Sequence, residues 1–110
     1  MDYYEECLIL YGDTRSKRIA HARSIGTHTK AEWEGMKNIH GYVCAKCDSE
    51  VIGGHPTKDH IQPIMYGGSD AIENIQPLCR QCNSGKFDWI DYRIPWKRKL
   101  KRWLHQEGLE

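Results

Sequence analysis

No apolar run in this chain comes near the ~18 residues that mark a membrane-spanning helix. Its start, Met1-Asp2-Tyr3-Tyr4-Glu5-Glu6, is acidic where a signal peptide is basic and then apolar. Both absences set the expectation of a soluble, cytoplasmic protein with no membrane partner. Phenylalanine is nearly missing: one Phe stands against four Trp and six Tyr, residues that bury a large ring yet keep a polar handle. Hydrophobic residues make up only 39% of the 110 and charged ones 28%. One domain with a modest core is therefore expected, of the kind that a staple helps to fold. There is no internal repeat and no low-complexity tract, so nothing points to a repeat array.

Net charge is also scarce, at +1, but the small sum hides an asymmetry. Residues 1–14 carry Asp2, Glu5, Glu6 and Asp13 and no base, whereas residues 15–30 carry Arg15, Lys17, Arg18, Arg23 and Lys30 and no acid. The tail adds Lys97, Arg98, Lys99, Lys101 and Arg102. Patches of this kind bind phosphate backbones whatever the net charge; a solvated face is the plainer reading of either block alone.

What the chain does have is two cysteine pairs, Cys44-Ala45-Lys46-Cys47 and Cys79-Arg80-Gln81-Cys82. Thiolates at this spacing chelate one ion without strain, and two such pairs close the tetrahedron that zinc prefers. Reduced thiols favour metal over disulfide, and a thioredoxin-like Cys-x-x-Cys needs a parallel βαβ setting that is missing. A structural Zn²⁺ on Cys44, Cys47, Cys79 and Cys82 is expected, with a disulfide or an empty site as the alternatives. Thirty-one residues lie between Cys47 and Cys79, against about 15–20 in a plain zinc ribbon, so a functional hairpin is expected between the halves. Cys7 has no cysteine near it and reads as a small buried or idle residue.

Residues 1–28 lack clear periodicity, and 14–24 read as a basic helix or arm. Thr29-Lys30-Ala31-Glu32 is a capping box that opens a helix over about 30–40, with Trp33, Met36, Lys37 and His40 at helical spacing and Gly41 at its end. Glu50-Val51-Ile52 is a possible strand stopped by Gly53-Gly54. Residues 57–61 read as a strand, Ser69-Asp70 as the cap of a short turn, and 74–78 as extended. A helix is expected from Arg80 to about Asp88. Pro95 opens a last helix whose Trp96, Leu100, Trp103 and Leu104 share one face.

Inside the cysteine brackets lie Asp59-His60, Asn74 and Asn83. Neighbours on a strand point to opposite faces, which separates Asp59 from His60 unless the strand is bent or a ligand sits at its edge. Taken singly, the pair reads as structural, Asn74 as a turn residue and Asn83 as a helix cap.

Together they read otherwise. The run Lys58-Asp59-His60-Ile61-x-Pro63, then Gly67-Gly68, Asn74-Ile75-Gln76-x-Leu78-Cys79-x-x-Cys82-Asn83-x-x-Lys86, resembles the HNH endonuclease motif over about residues 42–88. Residues 29–43 also resemble the leader of small phage and bacterial HNH proteins. The resemblance implies an α+β fold with a ββα-metal (His-Me finger) core, two antiparallel strands and a helix around one divalent ion, here joined to a four-cysteine zinc knuckle and flanking helices. It implies His60 as general base, Asp59 as a metal ligand and Asn74 as the residue that holds the loop and orients the His60 region. Asn83 stands where the motif ends in a second His; some members carry Asn there as a metal ligand, the HNN variant.

Chemistry agrees with that assignment. A neutral imidazole with a pKa of ~6.5 accepts a proton near neutral pH, and oxygens from Asp59 and Asn83 suit Mg²⁺ or Mn²⁺. The expectation is a DNA endonuclease acting on double strands, with the 3′-oxygen as leaving group, encoded by a bacterium or a phage. Residues 1–28 form a basic arm, 29–90 the nuclease core and 91–110 a basic amphipathic helix. Lys86, Arg15, Lys17, Arg18, Arg23, Lys97, Arg98 and Lys101 are the expected DNA contacts. The rivals are a non-catalytic zinc-dependent DNA-binding module, an accessory subunit of a phage packaging machine, and an enzyme that acts on RNA.

Overall fold

The computed structural model describes residues 2–85 and 89–109. Among them are five α-helices, three single turns of 3-10 helix and one two-stranded sheet, an α+β chain. None of these helices is long and apolar enough to cross a membrane. The chain gathers into two compact units, Met1–His28 with His60–Ile75 and Thr29–Asp59 with Gln76–Glu110.

In the first unit, α1 (Tyr3–Tyr11) starts where the Asp2 carboxylate accepts the Glu5 N–H at 2.8 Å, and Glu5 and Glu6 sit in the first turn, where the helix dipole favours negative charge. α2 (Arg15–Ser24) starts where the Thr14 hydroxyl accepts the Lys17 N–H at 3.2 Å, and it ends with His21 and Arg23 at the complementary pole. The basic helix expected over 14–24 is therefore present. α1 was not expected, because Leu8, Ile9 and Leu10 follow one another instead of recurring at helical spacing. Of α1 only Cys7 is buried, while Ile9 and Leu10 stand 69% and 67% exposed.

Residues 61–74 complete this unit with two 3-10 turns, Ile64–Tyr66 and Ile72–Asn74. The first packs against α1 and α2, and Tyr66 stacks on Tyr3 with ring centres 5.4 Å apart. The short turn expected after Ser69-Asp70 starts at Ile72, with Ala71 and not Ser69 or Asp70 at its cap position: Ser69 accepts the Ala71 N–H at 3.3 Å, and Asp70 bonds elsewhere. The loop closes tightly at Gly68, where a Cβ would run into the Gln62 carbonyl and sit 2.9 Å from the Asn74 amide nitrogen. Gly68→Ala is therefore expected to lower stability by about 1–3 kcal/mol, as overpacking does, seen as a lower Tm. An unchanged Tm would mean that the loop absorbs the methyl by shifting.

In the second unit, α3 (Lys30–Ile39) carries the expected capping box, with Thr29 N–H on the Glu32 carboxylate at 2.9 Å and Glu32 N–H on the Thr29 hydroxyl at 3.0 Å. Its buried side holds Trp33, Gly35 and Met36, and α5 (Trp96–Gln106) lies across it. A Cβ on Gly35 would strike Leu100 and the Trp103 ring, so glycine is what allows the two helices to approach this closely. α3 ends in a left-handed turn at Gly41 and Tyr42 (φ 64° and 61°) that leads into Val43-Cys44. No strand forms over 50–52. Glu50 makes one antiparallel bridge to Val43, and the positive φ of Gly53 (80°) and Gly54 (71°) then turns the chain.

β1 (Thr57–His60) pairs with β2 (Ile75–Leu78). The Thr57 hydroxyl donates to the Leu78 carbonyl (2.7 Å) and the Ile61 N–H to the Asn74 carbonyl (2.8 Å), which makes the pair antiparallel. α4 (Arg80–Ser84) follows β2 directly, so strand, strand and helix come in the expected order. Of the helix expected to about Asp88, the part past Gly85 lies outside the described residues, Lys86 included.

Candidate functional site

The four paired cysteines converge. Their Sγ atoms all lie within 4.8 Å of one another, and Cys47 and Cys79 are 3.9 Å apart. A tetrahedral ion with ~2.3 Å metal–sulfur bonds needs sulfurs about 3.8 Å apart, so the set fits one soft divalent ion. All five cysteines are free thiols in this structure. Local backbone builds the knuckle. The Cys44 N–H donates to the Ser49 carbonyl (3.2 Å), the Asp48 N–H to the Cys44 carbonyl (2.9 Å), and Asp48 turns the chain with φ 58°. Ala45 N–H donates to the Pro77 carbonyl at 2.8 Å, tying the first pair to β2. The Cys79 sulfur caps α4 by accepting the Cys82 N–H at 3.4 Å. Protons are held unequally among these thiols. The Ser49 hydroxyl, 2.9 Å from the sulfur, draws Cys47 down to about 6, whereas Cys82 is pushed up to about 12 by its hydrogen bond with Cys79.

Asp59 is buried, and its Oδ2 accepts from Gln76 Nε2 at 2.9 Å. Gln76 has no exposed surface; the same nitrogen donates to the Ile90 carbonyl (3.0 Å), and its oxygen accepts the Tyr92 N–H (2.8 Å). This glutamine thus orients the Asp59 carboxylate and fixes the 90–92 segment. Asn83, on α4, gives its Nδ2 to the Thr57 hydroxyl (2.9 Å) and the Lys58 carbonyl (3.3 Å). Thr57 is two residues before Asp59 and so lies on the same strand face. Asn83 therefore leans on the strand that carries Asp59, with Oδ1 as the end of its amide able to ligate a cation.

His60, in the first unit, approaches Asp70 with Nε2 3.0 Å from Oδ1. Its partner is thus a different one from that of Asp59, as alternation along the strand demands. Asp70 accepts the Thr27 hydroxyl on Oδ2 (3.2 Å), and His28 Nδ1 donates to its backbone carbonyl (2.7 Å). Burial pushes the Asp70 carboxyl up, but the His60 hydrogen bond, the field of His28 and the Thr27 hydroxyl outweigh it, and the group is held below the usual carboxylate range. Asn74 clamps the loop: its oxygen accepts the Gln62 N–H (2.9 Å), and its nitrogen donates to the carbonyls of Gln62 (2.9 Å) and Ser69 (2.8 Å). Reading the residues singly missed Gln76, Asp70, Thr27 and His28 as partners.

The basic residues are less uniform. Lys97, Arg98 and Lys101 stand exposed on α5, where Trp96, Lys97, Arg98, Lys99 and Arg102 border one recess. On α2, Arg15, Lys17 and Arg23 are exposed, with Lys17 paired to Asp13 at 2.9 Å. Arg18 is half-buried and donates to the Gly12 carbonyl at 3.4 Å.

The family model described as HNH endonuclease matches residues 44–88, from the first cysteine of the knuckle through β1, β2 and α4. Asp59, His60, Asn74 and Asn83 all fall inside the match; α1, α2, α3 and α5 fall outside it. No curated protein and no solved structure matches the chain.

Proposed function

We propose that this protein is a metal-dependent endonuclease that hydrolyses phosphodiester bonds in double-stranded DNA. The observation that carries the reading is the separate anchoring of the adjacent pair: Asp59 is held by buried Gln76, and His60 is held by Asp70. Both side chains thereby keep fixed orientations inside the HNH-matched segment. His60 acts as general base and takes a proton from the attacking water. Asp59 and Asn83 hold Mg²⁺ or Mn²⁺ through hard oxygens. That cation supplies positive charge where charge builds on the phosphate and the leaving oxygen. Asn74 keeps the intervening loop in place. Zn²⁺ on the four cysteines is structural, since four thiolates leave no open position for water, and such a site suits the reducing cytoplasm. The exposed cations of α5 and α2 contact phosphates, which gives salt-dependent and weakly sequence-selective binding.

The test is supercoiled plasmid incubated with the zinc-loaded protein. Mg²⁺ or Mn²⁺ is expected to bring nicked or linear product, and leaving the divalent ion out should stop cutting without loss of DNA binding. Binding without cutting in every divalent ion tried would leave only a DNA-binding module.

A further inference from the structure

We propose that Asp70 is a positioning residue for His60, taking its Nε2–H so that Nδ1 is the nitrogen left to accept the proton from water. The inference rests on the reading of His60 as the general base and goes a step further, to which of its two nitrogens does the work and what holds it.

Four observations meet at Asp70. Its Oδ1 is 3.0 Å from His60 Nε2. A carboxylate only accepts, so the ring nitrogen facing it carries the hydrogen, and in a neutral imidazole the other nitrogen then holds the lone pair. Its Oδ2 accepts the Thr27 hydroxyl at 3.2 Å and lies 3.6 Å from His28 Nδ1, so the carboxylate cannot swing away from His60 without losing partners on its other side. Its backbone N–H is shared between the carbonyls of Ala22 (3.2 Å) and Gly26 (3.1 Å), and its carbonyl takes the His28 Nδ1–H at 2.7 Å. The side chains of Asp70 and His28 are only 18% and 7% exposed. Asp70 is thus fixed through its main chain and its side chain by residues 22–28, a stretch outside the HNH-matched segment. A histidine that has to return to one orientation after each turnover gains from such a brace. α2 then serves the reaction as the seat of that brace.

The experiment compares wild type, Asp70→Asn and His60→Ala, each zinc-loaded and checked for an unchanged Tm. Nitrogen-15 histidine spectra of the intact protein read the His60 ring directly, whether or not DNA is cut. In wild type a protected Nε2–H and a bare Nδ1 are expected; in Asp70→Asn the protection should be lost. In plasmid cleavage, Asp70→Asn should lower kcat on the order of 10²-fold and leave KM alone. That is less than the ~10⁴ of a buried Ser-His-Asp dyad, because the His60 side chain keeps 27% of its exposure and water can partly replace the carboxylate. If Asp70→Asn does not fold, Thr27→Val loosens the same carboxylate and should lower kcat about threefold, the size of one weak hydrogen bond. An Nε2–H in wild type that exchanges as fast as in a free imidazole would overturn the proposal. So would Asp70→Asn cutting at the wild-type rate, or losing DNA affinity with kcat intact. His60→Ala at the wild-type rate overturns instead the general-base reading beneath it, and the spectra still decide whether the Asp70 contact exists.

Discussion

Replacing His60 by alanine is expected to slow plasmid cleavage by about 10²–10⁴-fold, the usual contribution of a positioned general base, while DNA affinity and fold persist. The fold should survive because the imidazole is partly exposed and its contact with Asp70 is one polar bond at the edge of a loop. Removing a single such bond costs about 1 kcal/mol, and Asp70 keeps Thr27 and His28 as partners. Binding should survive because the exposed cations proposed to meet phosphate lie on α2 and α5, and most affinity for DNA comes from such contacts. The two readouts therefore separate. A variant that binds in gel shift at wild-type strength and fails to cut supports catalysis at His60. One that cuts within twofold of wild type would sink the nuclease mechanism proposed here, whatever the family match.

Much of this was legible in residues alone, and the reason differs by element. The knuckle could be read because chelation by Cys-x-x-Cys is local chemistry, and α3 because Thr29 and Glu32 satisfy each other's amides within one turn. α5 showed itself by period, since Trp96, Leu100, Trp103 and Leu104 repeat on one face. α1 had no such signal: Leu8, Ile9 and Leu10 are consecutive, and its burial rests on Cys7. The β-favouring run Glu50-Val51-Ile52 was misleading, because two glycines with positive φ override it. Hardest were the residues that hold others. Asp70 looks like a turn cap, since only its nearest neighbours can be judged in sequence, yet Thr27 and His28 reach it from 43 and 42 positions away. Gln76 reads as one polar residue in an extended run, and only its complete burial against Asp59 shows its purpose.

Stripping the zinc, or changing Cys79→Ala, is expected to unfold the second unit outright, whereas withholding Mg²⁺ should abolish cutting and leave the fold standing. A structural zinc site contributes about 10–16 kcal/mol of apparent binding energy, as much as the entire 5–15 kcal/mol by which a typical domain is stable. The second unit has little to set against that loss: Trp33, Met36, Cys44, Pro56, Pro77, Leu78 and Leu100 make up its buried apolar side chains among the described residues. Cys79→Ala removes more than a ligand, because the same sulfur caps α4. Loss of a cap costs about 1 kcal/mol in its own right, and α4 is the element that presents Asn83 to β1. The hard-oxygen pair is different, since Asp59 and Asn83 are each held by protein groups, Gln76 for one and Thr57 with Lys58 for the other. Tryptophan emission reads the difference cleanly, because Trp33, Trp89, Trp96 and Trp103 all belong to the second unit. A zinc-selective chelator should shift that emission to the unfolded position and end cleavage together, with added Zn²⁺ restoring both. If the chelated protein kept its folded emission and still cut plasmid, the four sulfurs would be dispensable to the fold, and the core would have to be held by packing alone.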